Sequence, residues 1–180
     1  MTKIINPFPQ YILADKLDVN NKDIKKFCVE SRSKHPSATL TNSGGYQSPY
    51  FHSPTINKNK CLKNLFKQIT DKVKIFHNKN LLYSSLGIGN FWVNINEKGD
   101  EHLPHNHFGS IVSGTYYVDV SEDCGNLILF NCLHEYKSRC VIEPKNHMLI
   151  LFPSHFNHYV EPNKTNKKRI SISFNYAMNV

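Results

Sequence analysis

Between Asn59 and His77 the apolar residues Leu62, Leu65, Phe66, Ile69, Val73 and Phe76 recur at the helical period. This predicts a helix with one stripe turned to the core. A shorter helix is predicted over Val19–Lys34, where Ile24, Phe27 and Cys28 are the apolar positions and Asn20 or Asn21 can cap the start. Between the two, residues 35–56 lose any period and fill with Ser, Pro, Gly and Thr, which reads as a long ordered loop with short strands at most. From Leu81 onward the period becomes two. Phe91–Asn96, Ser110–Val120, Asn126–Phe130, His147–Phe152, His155–Val160 and Arg169–Tyr176 are β-rich runs divided by Gly, Pro, Asn and Lys turns. Such spacing predicts a mainly β fold, a sandwich or jelly roll, with the helices flanking it.

The last of these runs has the sharpest alternation: Arg169, Ser171, Ser173 and Asn175 against Ile170, Ile172, Phe174 and Tyr176. Two readings fit. A surface strand would turn its polar residues to water, whereas a strand lining a pocket would turn them inward. The second is favoured by His158, eleven residues ahead of Arg169. That order sets a potential metal ligand and a potential carboxylate anchor on neighbouring strands.

Composition narrows the class. At 180 residues the chain can bury one full core, and 39% hydrophobic content is ordinary for a globular domain. One domain spanning 1–180 is expected, with 1–80 as helical and loop support and 81–180 as the barrel core. No run approaches the ~20 apolar residues a spanning helix needs, and MTKIINPFPQ lacks a secretory pattern, so a cytoplasmic protein with no membrane partner is expected. Five cysteines without C-x-x-C spacing argue against a disulfide framework or zinc knuckle. The net charge of +8 is spread over lysines that mostly read as solvated helix faces. Nucleic-acid binding would need aromatics interleaved with the basic residues and finds little support.

His105-Asn106-His107 is the richest chemical signal. Imidazoles at i and i+2 of an extended strand point to one side, so they can grip one metal while a third ligand, His158, arrives from a distant strand. Arg169 and Ser171, also two apart, would present a bidentate cation and a hydroxyl to a carboxylate in the same pocket. His102 could lie close behind the ligands. His155, in odd phase with His158 on a short strand, points elsewhere, and His134 and His147 read as ordinary polar positions.

The runs HNHFGSIVSGTYYV, GNLILFN, LFPSHFNHYVEP and RISISFN, with TNSGGYQS and NFWVNINEKGDEHLPH upstream, resemble the 2-oxoglutarate/Fe(II)-dependent oxygenase superfamily in its prolyl-hydroxylase-like part. The resemblance spans roughly residues 40–176, and it implies a double-stranded β-helix, a cupin-like jelly-roll barrel. It also implies Fe(II) and 2-oxoglutarate as cofactors, with His105 as first ligand and His158 as distal ligand. The middle ligand of the family is a carboxylate, and His107 stands in its place. Glu101, Asp100 or Asp119 could supply a carboxylate instead, or a halide or water could fill the position. Arg169 and Ser171 map to the partners of the distal 2-oxoglutarate carboxylate. Tyr117, in phase with Ser113 and Thr115, maps to a further hydrogen-bond donor, leaving Tyr116 to the outer packing.

The activity so implied is that of a dioxygenase: O₂ and 2-oxoglutarate are consumed, succinate and CO₂ are released, and a C–H bond of a peptide or small molecule is hydroxylated. TNSGGYQSPYF has the composition of an active-site rim or of a structural loop. The alternative is a cupin-like metal-binding protein or isomerase without 2-oxoglutarate chemistry, which would have no need of a buried Arg169–Ser171 pair.

Overall fold

The computed structural model describes residues 11–38, 40–79, 85–130 and 139–178. Its first helix, α1 (Asn21–Lys34), starts where both asparagines find separate uses. Asn20 caps it by accepting from the Lys22 amide at 3.1 Å. Asn21 instead fastens the helix to the sheet, donating to the Val118 carbonyl at 2.7 Å and accepting from the Tyr116 hydroxyl at 2.5 Å. A short α2 (Ser53–Asn57) follows, started by Pro54, a residue suited to a first turn because it lacks an amide hydrogen to satisfy. The long α3 (Lys60–Lys79) buries Leu62, Leu65, Ile69, Val73 and Phe76, as its period predicts.

Eleven strands among the described residues form two sheets. They are β1 (Leu13–Lys16), β2 (Asn42–Ser43), β3 (Tyr46–Gln47), β4 (Leu86–Asn96), β5 (Glu101–His105) and β6 (Val112–Asp119). Then come β7 (Leu127–Phe130), β8 (Arg139–Ile142), β9 (Met148–Pro153), β10 (Asn157–Val160) and β11 (Arg169–Met178). The major sheet runs β1-β9-β6-β11-β4-β3 and the minor sheet β2-β5-β10-β7-β8, with every pairing antiparallel. This is the double-stranded β-helix expected. The division at residue 80 is less clean than expected, because β1, β2 and β3 come from the N-terminal part and pair at sheet edges.

The major sheet separates two environments. Ile170, Ile172, Phe174 and Tyr176 of β11, with Phe91, Val93 and Ile95 of β4 and Tyr116 and Val118 of β6, join the helices in one apolar core. Phe66 of α3 stacks on Phe91 at 4.8 Å and Phe174 at 6.1 Å between centroids. The opposite face of β11 looks toward the minor sheet, and Arg169 and Ser171 are each only 2% exposed. The surface-strand reading of this run is therefore excluded. Burying so polar a face is tolerated because most of its groups bond one another: Ser113 donates to Asn175, Asn175 to Asn90, and Asn94 to Ser173, leaving Asn94 Oδ1 and Arg169 Nε without partners.

The stretch predicted as loop over 35–56 ends in helix α2, which its pattern does not predict, and the part before it holds the two sheets together along one side. Asn42–Ser43 pairs with β5 of the minor sheet and Tyr46–Gln47 with β4 of the major sheet, so the chain crosses between layers at Gly44-Gly45. Both glycines have positive φ, +75° and +67°, and a Cβ on Gly44 would collide with the Asp100 carboxylate.

Candidate metal and co-substrate site

Three imidazoles meet at one end of the space between the sheets. His105 is the last residue of β5, and His158 on β10 is its direct cross-strand partner. His107 lies past the strand end, where its amide donates to the Ser154 carbonyl at 2.9 Å. Ring centroids are 4.3 Å apart for His105–His158, 5.0 Å for His107–His158 and 5.1 Å for His105–His107. One nitrogen from each ring falls within 4.8 Å of the others. The two histidines of the H-x-H pair thus converge although only the first belongs to a strand.

Backbone carbonyls fix the tautomers. His105 Nδ1–H donates to the Leu103 carbonyl at 2.7 Å and His158 Nδ1–H to the Phe156 carbonyl at 3.0 Å, each two residues upstream. Both rings so keep the Nε2 lone pair for a metal. Burial holds all three in the neutral, ligating form: His158 lies well below its usual pKa, His107 falls to about 4 and His105 is lowered. Trp92 packs on His107 at 5.5 Å and Phe152 on His158 at 4.8 Å, walling the cluster.

The same pocket extends to Arg169, with Ser171, Ser173, Asn94, Thr115 and Tyr117 along the way. Register explains their company: Ser171 sits between Asn94 of β4 and Tyr117 of β6, and Arg169 is opposite Asn96. Arg169 finds only neutral acceptors, the Gly125 carbonyl at 3.4 Å and Asn96 Oδ1 at 3.3 Å, and its Nε is buried without a partner. Burial raises the Tyr117 pKa to about 12, so it remains a phenol able to donate. Tyr116 faces the helices, as its phase requires.

Among the described residues, no carboxylate lines this pocket. Asp119 is engaged by Lys25, and Asp100 accepts from the Glu97 amide at 2.7 Å beside the Gly44 turn. The cluster of potential ligands consists of His105, His107 and His158, without Glu101. His102, expected as an ordinary position with a possible place behind the ligands, is buried, 7% exposed, and bonds Asn96 Oδ1 at 3.2 Å. His155 lies in the turn before β10, which begins at Asn157. His134 lies outside the described residues.

Residues 90–138 and 129–175 match the family model described as "Putative 2OG-Fe(II) oxygenase", covering the chain from β4 through β11. The chain belongs to the 2-oxoglutarate/Fe(II)-dependent oxygenase superfamily. The oxygenase is similar in fold to a prolyl hydroxylase from Trichoplax adhaerens, solved in complex with a hypoxia inducible factor peptide fragment. There the TM-score is 0.69 at 18% identity, over 96% of this chain and 84% of that one. It is also similar to a Pseudomonas putida prolyl-4-hydroxylase, with TM-score 0.67, 15% identity and coverage of 94% and 93%. A third is the viral collagen prolyl hydroxylase of Paramecium bursaria chlorella virus-1, solved with 2-oxoglutarate, at TM-score 0.60, 14% identity and coverage of 92% and 96%. No curated protein sequence matches.

Fe(II) and 2-oxoglutarate are the oxygenase's cofactors, and the donor set suits both. Three neutral imidazoles are acceptable ligands for a divalent iron, and the partnerless Nε of a buried guanidinium is suited to an incoming carboxylate.

Proposed function

We propose that His105, His107 and His158 hold the iron, that Arg169, Ser171 and Tyr117 hold the distal carboxylate of 2-oxoglutarate, and that the enzyme hydroxylates a C–H bond of a peptide. The observation that carries this reading is the joining, in one pocket with no carboxylate among its described lining residues, of three neutral imidazoles and a buried cation whose described partners are neutral. Iron held by His105, His107 and His158 would supply the oxidative decarboxylation of 2-oxoglutarate by O₂ and the transfer of one oxygen atom to the substrate. His105 and His158 are aimed by their carbonyl partners before any ligand arrives, which lowers the cost of organising the site. Arg169 and Ser171 fix the far end of the co-substrate. Trp92, Phe152 and Leu127 exclude water from the space between.

A peptide is favoured by the rim. Phe108, beside His107, is 84% exposed, Leu103 between the ligand strand's ends is 50% exposed, and Tyr50 stacks on Trp92 at 5.3 Å while 46% exposed. Apolar side chains around a catalytic mouth suit an extended chain passing across it. A cytoplasmic setting accords with four free cysteines, 28, 61, 124 and 140, among the described residues.

The deciding experiment supplies purified protein with Fe(II) and O₂ and follows conversion of 2-oxoglutarate to succinate. Turnover that disappears in His105→Ala and His158→Ala, and falls in Arg169→Met, is expected. Iron-independent turnover, or turnover indifferent to these changes, would overturn the assignment.

A further inference from the structure

Among the described residues Arg169 has no anion beside it, and the reason lies one strand away. Its cross-strand partner is Asn96, whose side-chain oxygen accepts from an Arg169 guanidinium nitrogen at 3.3 Å and bonds His102 Nε2 at 3.2 Å. A guanidinium only donates, so the amide must turn its oxygen toward Arg169. That orientation in turn requires His102 to donate through Nε2–H. The three side chains therefore determine one another's hydrogen positions, and the bond between Asn96 and His102 spans the two sheets. All three are buried, at 1%, 7% and 2% exposure for Asn96, His102 and Arg169.

We propose that Asn96, oriented by His102, is a positioning residue for the co-substrate: it holds Arg169 with a neutral oxygen, so that the cation's charge is kept for the distal carboxylate of 2-oxoglutarate. This rests on the assignment of Arg169 above. An aspartate at this position has the same shape and would form an internal ion pair, cancelling the charge the ligand needs. The Asn96 Nδ2 group is buried without a partner, so the exchange sacrifices no hydrogen bond made by that nitrogen. The remaining acceptor, the Gly125 carbonyl, is also neutral, and Gly125 is at φ +91° where a Cβ would strike the Glu161 backbone. Amide against acid at position 96 thus sets selectivity for a dicarboxylate over a monocarboxylate oxo-acid.

The test is an anaerobic titration of the Fe(II)-loaded protein with 2-oxoglutarate and with 2-oxopentanoate, which keeps the oxo-acid end and ends in a methyl group. Asn96→Asp is expected to weaken 2-oxoglutarate by about 100-fold, the loss of one strong charge-assisted contact, while 2-oxopentanoate changes less than about 3-fold. The melting temperature of the ligand-free variant should rise, because a buried cation gains a counter-charge. A purely structural role for Asn96 would lower both affinities and stability together. Asn96→Ala is expected to weaken 2-oxoglutarate about 10-fold, and His102→Gln, which keeps a donor, to recover most of what His102→Leu loses. Unchanged selectivity in Asn96→Asp overturns the inference; should that variant fail to fold, 2-oxoglutarate affinity in Asn96→Ala equal to wild type does so. If Arg169→Met binds 2-oxoglutarate as well as wild type, it is the underlying assignment of Arg169 that has failed.

Discussion

Mild acid should destabilise the metal-free protein through its buried histidines. Burial holds His102 at a pKa of about 3 and His107 at about 4, against 6.5 for an exposed histidine. Above pH 6.5 both are neutral in folded and unfolded chains alike, and they add no pH dependence. Below it the unfolded chain takes up protons that the folded one refuses, so stability falls with pH down to the folded pKa values. From pH 7 to pH 5 each group costs about 2 kcal/mol, and the two together about 4 kcal/mol. His105 and His158 are shifted in the same direction and add to the loss. The carboxylates with lowered pKa values, Asp15, Glu30 and Glu97, act only below their unfolded values near 4, outside this window.

A loss of ~4 kcal/mol is a large part of the 5–15 kcal/mol that stabilises a typical domain. Urea unfolding of chelator-treated protein at half-unit steps from pH 7 to 5 measures it directly. In His102→Gln the slope should shrink by about 2 kcal/mol over the window, whatever the variant's stability at pH 7. Saturating divalent metal should hold the folded state against acid, since ligation binds the neutral imidazoles. Flat stability between pH 7 and 5, or an undiminished slope in His102→Gln, would refute the claim that these histidines are buried and neutral.

Other expectations are as direct. His105→Ala and His158→Ala should each abolish one-to-one Fe(II) binding by equilibrium dialysis, whereas His107→Asp should retain or strengthen it. Arg169→Met should weaken 2-oxoglutarate by ~1.5–3 kcal/mol in anaerobic titration and leave iron affinity nearly unchanged. Gly114→Ala should destabilise by ~1–3 kcal/mol in thermal or urea unfolding, because a Cβ there would press on the Ile150 carbonyl and the Phe174 ring. Phe108→Ala should raise KM for a peptide substrate while leaving uncoupled 2-oxoglutarate turnover intact, if the exposed ring is a docking contact.

The two long helices and the longer strands were legible because each carries a full period, α3 with six apolar positions at helical spacing and β11 alternating through eight residues, whereas five-residue α2 is too short to show one and its sequence reads as loop. The short edge strands β1, β2 and β3 offer two to four residues each, too few for alternation to register, and tertiary pairing creates them. A strand carrying the H-x-H pair is expected, but its true span, Glu101–His105, is hidden by Pro104, a residue that withholds a ladder donor and reads as a breaker. His102 and Asn96 could be listed as neighbours of the ligands, but their meeting depends on two sheets facing each other. A signal did exist for Asn96, since Asn94 and Asn96 alternate with Val93 and Ile95 on β4 just as the serines do on β11.

The polar face of RISISFN shows why the site needed a structure to be fixed. Alternation states that a strand has two unlike sides, and water or a second sheet satisfies that statement equally well. What decides is the supply of partners. On an exposed face each polar group bonds water separately, whereas Asn175, Ser113, Asn94 and Ser173 here bond one another, and Arg169 alone of that row is charged. Within that row two buried atoms stay without a partner, the Asn94 Oδ1 acceptor and the Arg169 Nε donor, and only the second belongs to a charged group. With no carboxylate among the described lining residues, the demand at the cation is for an anion brought from outside, the chemistry a dicarboxylate co-substrate would supply.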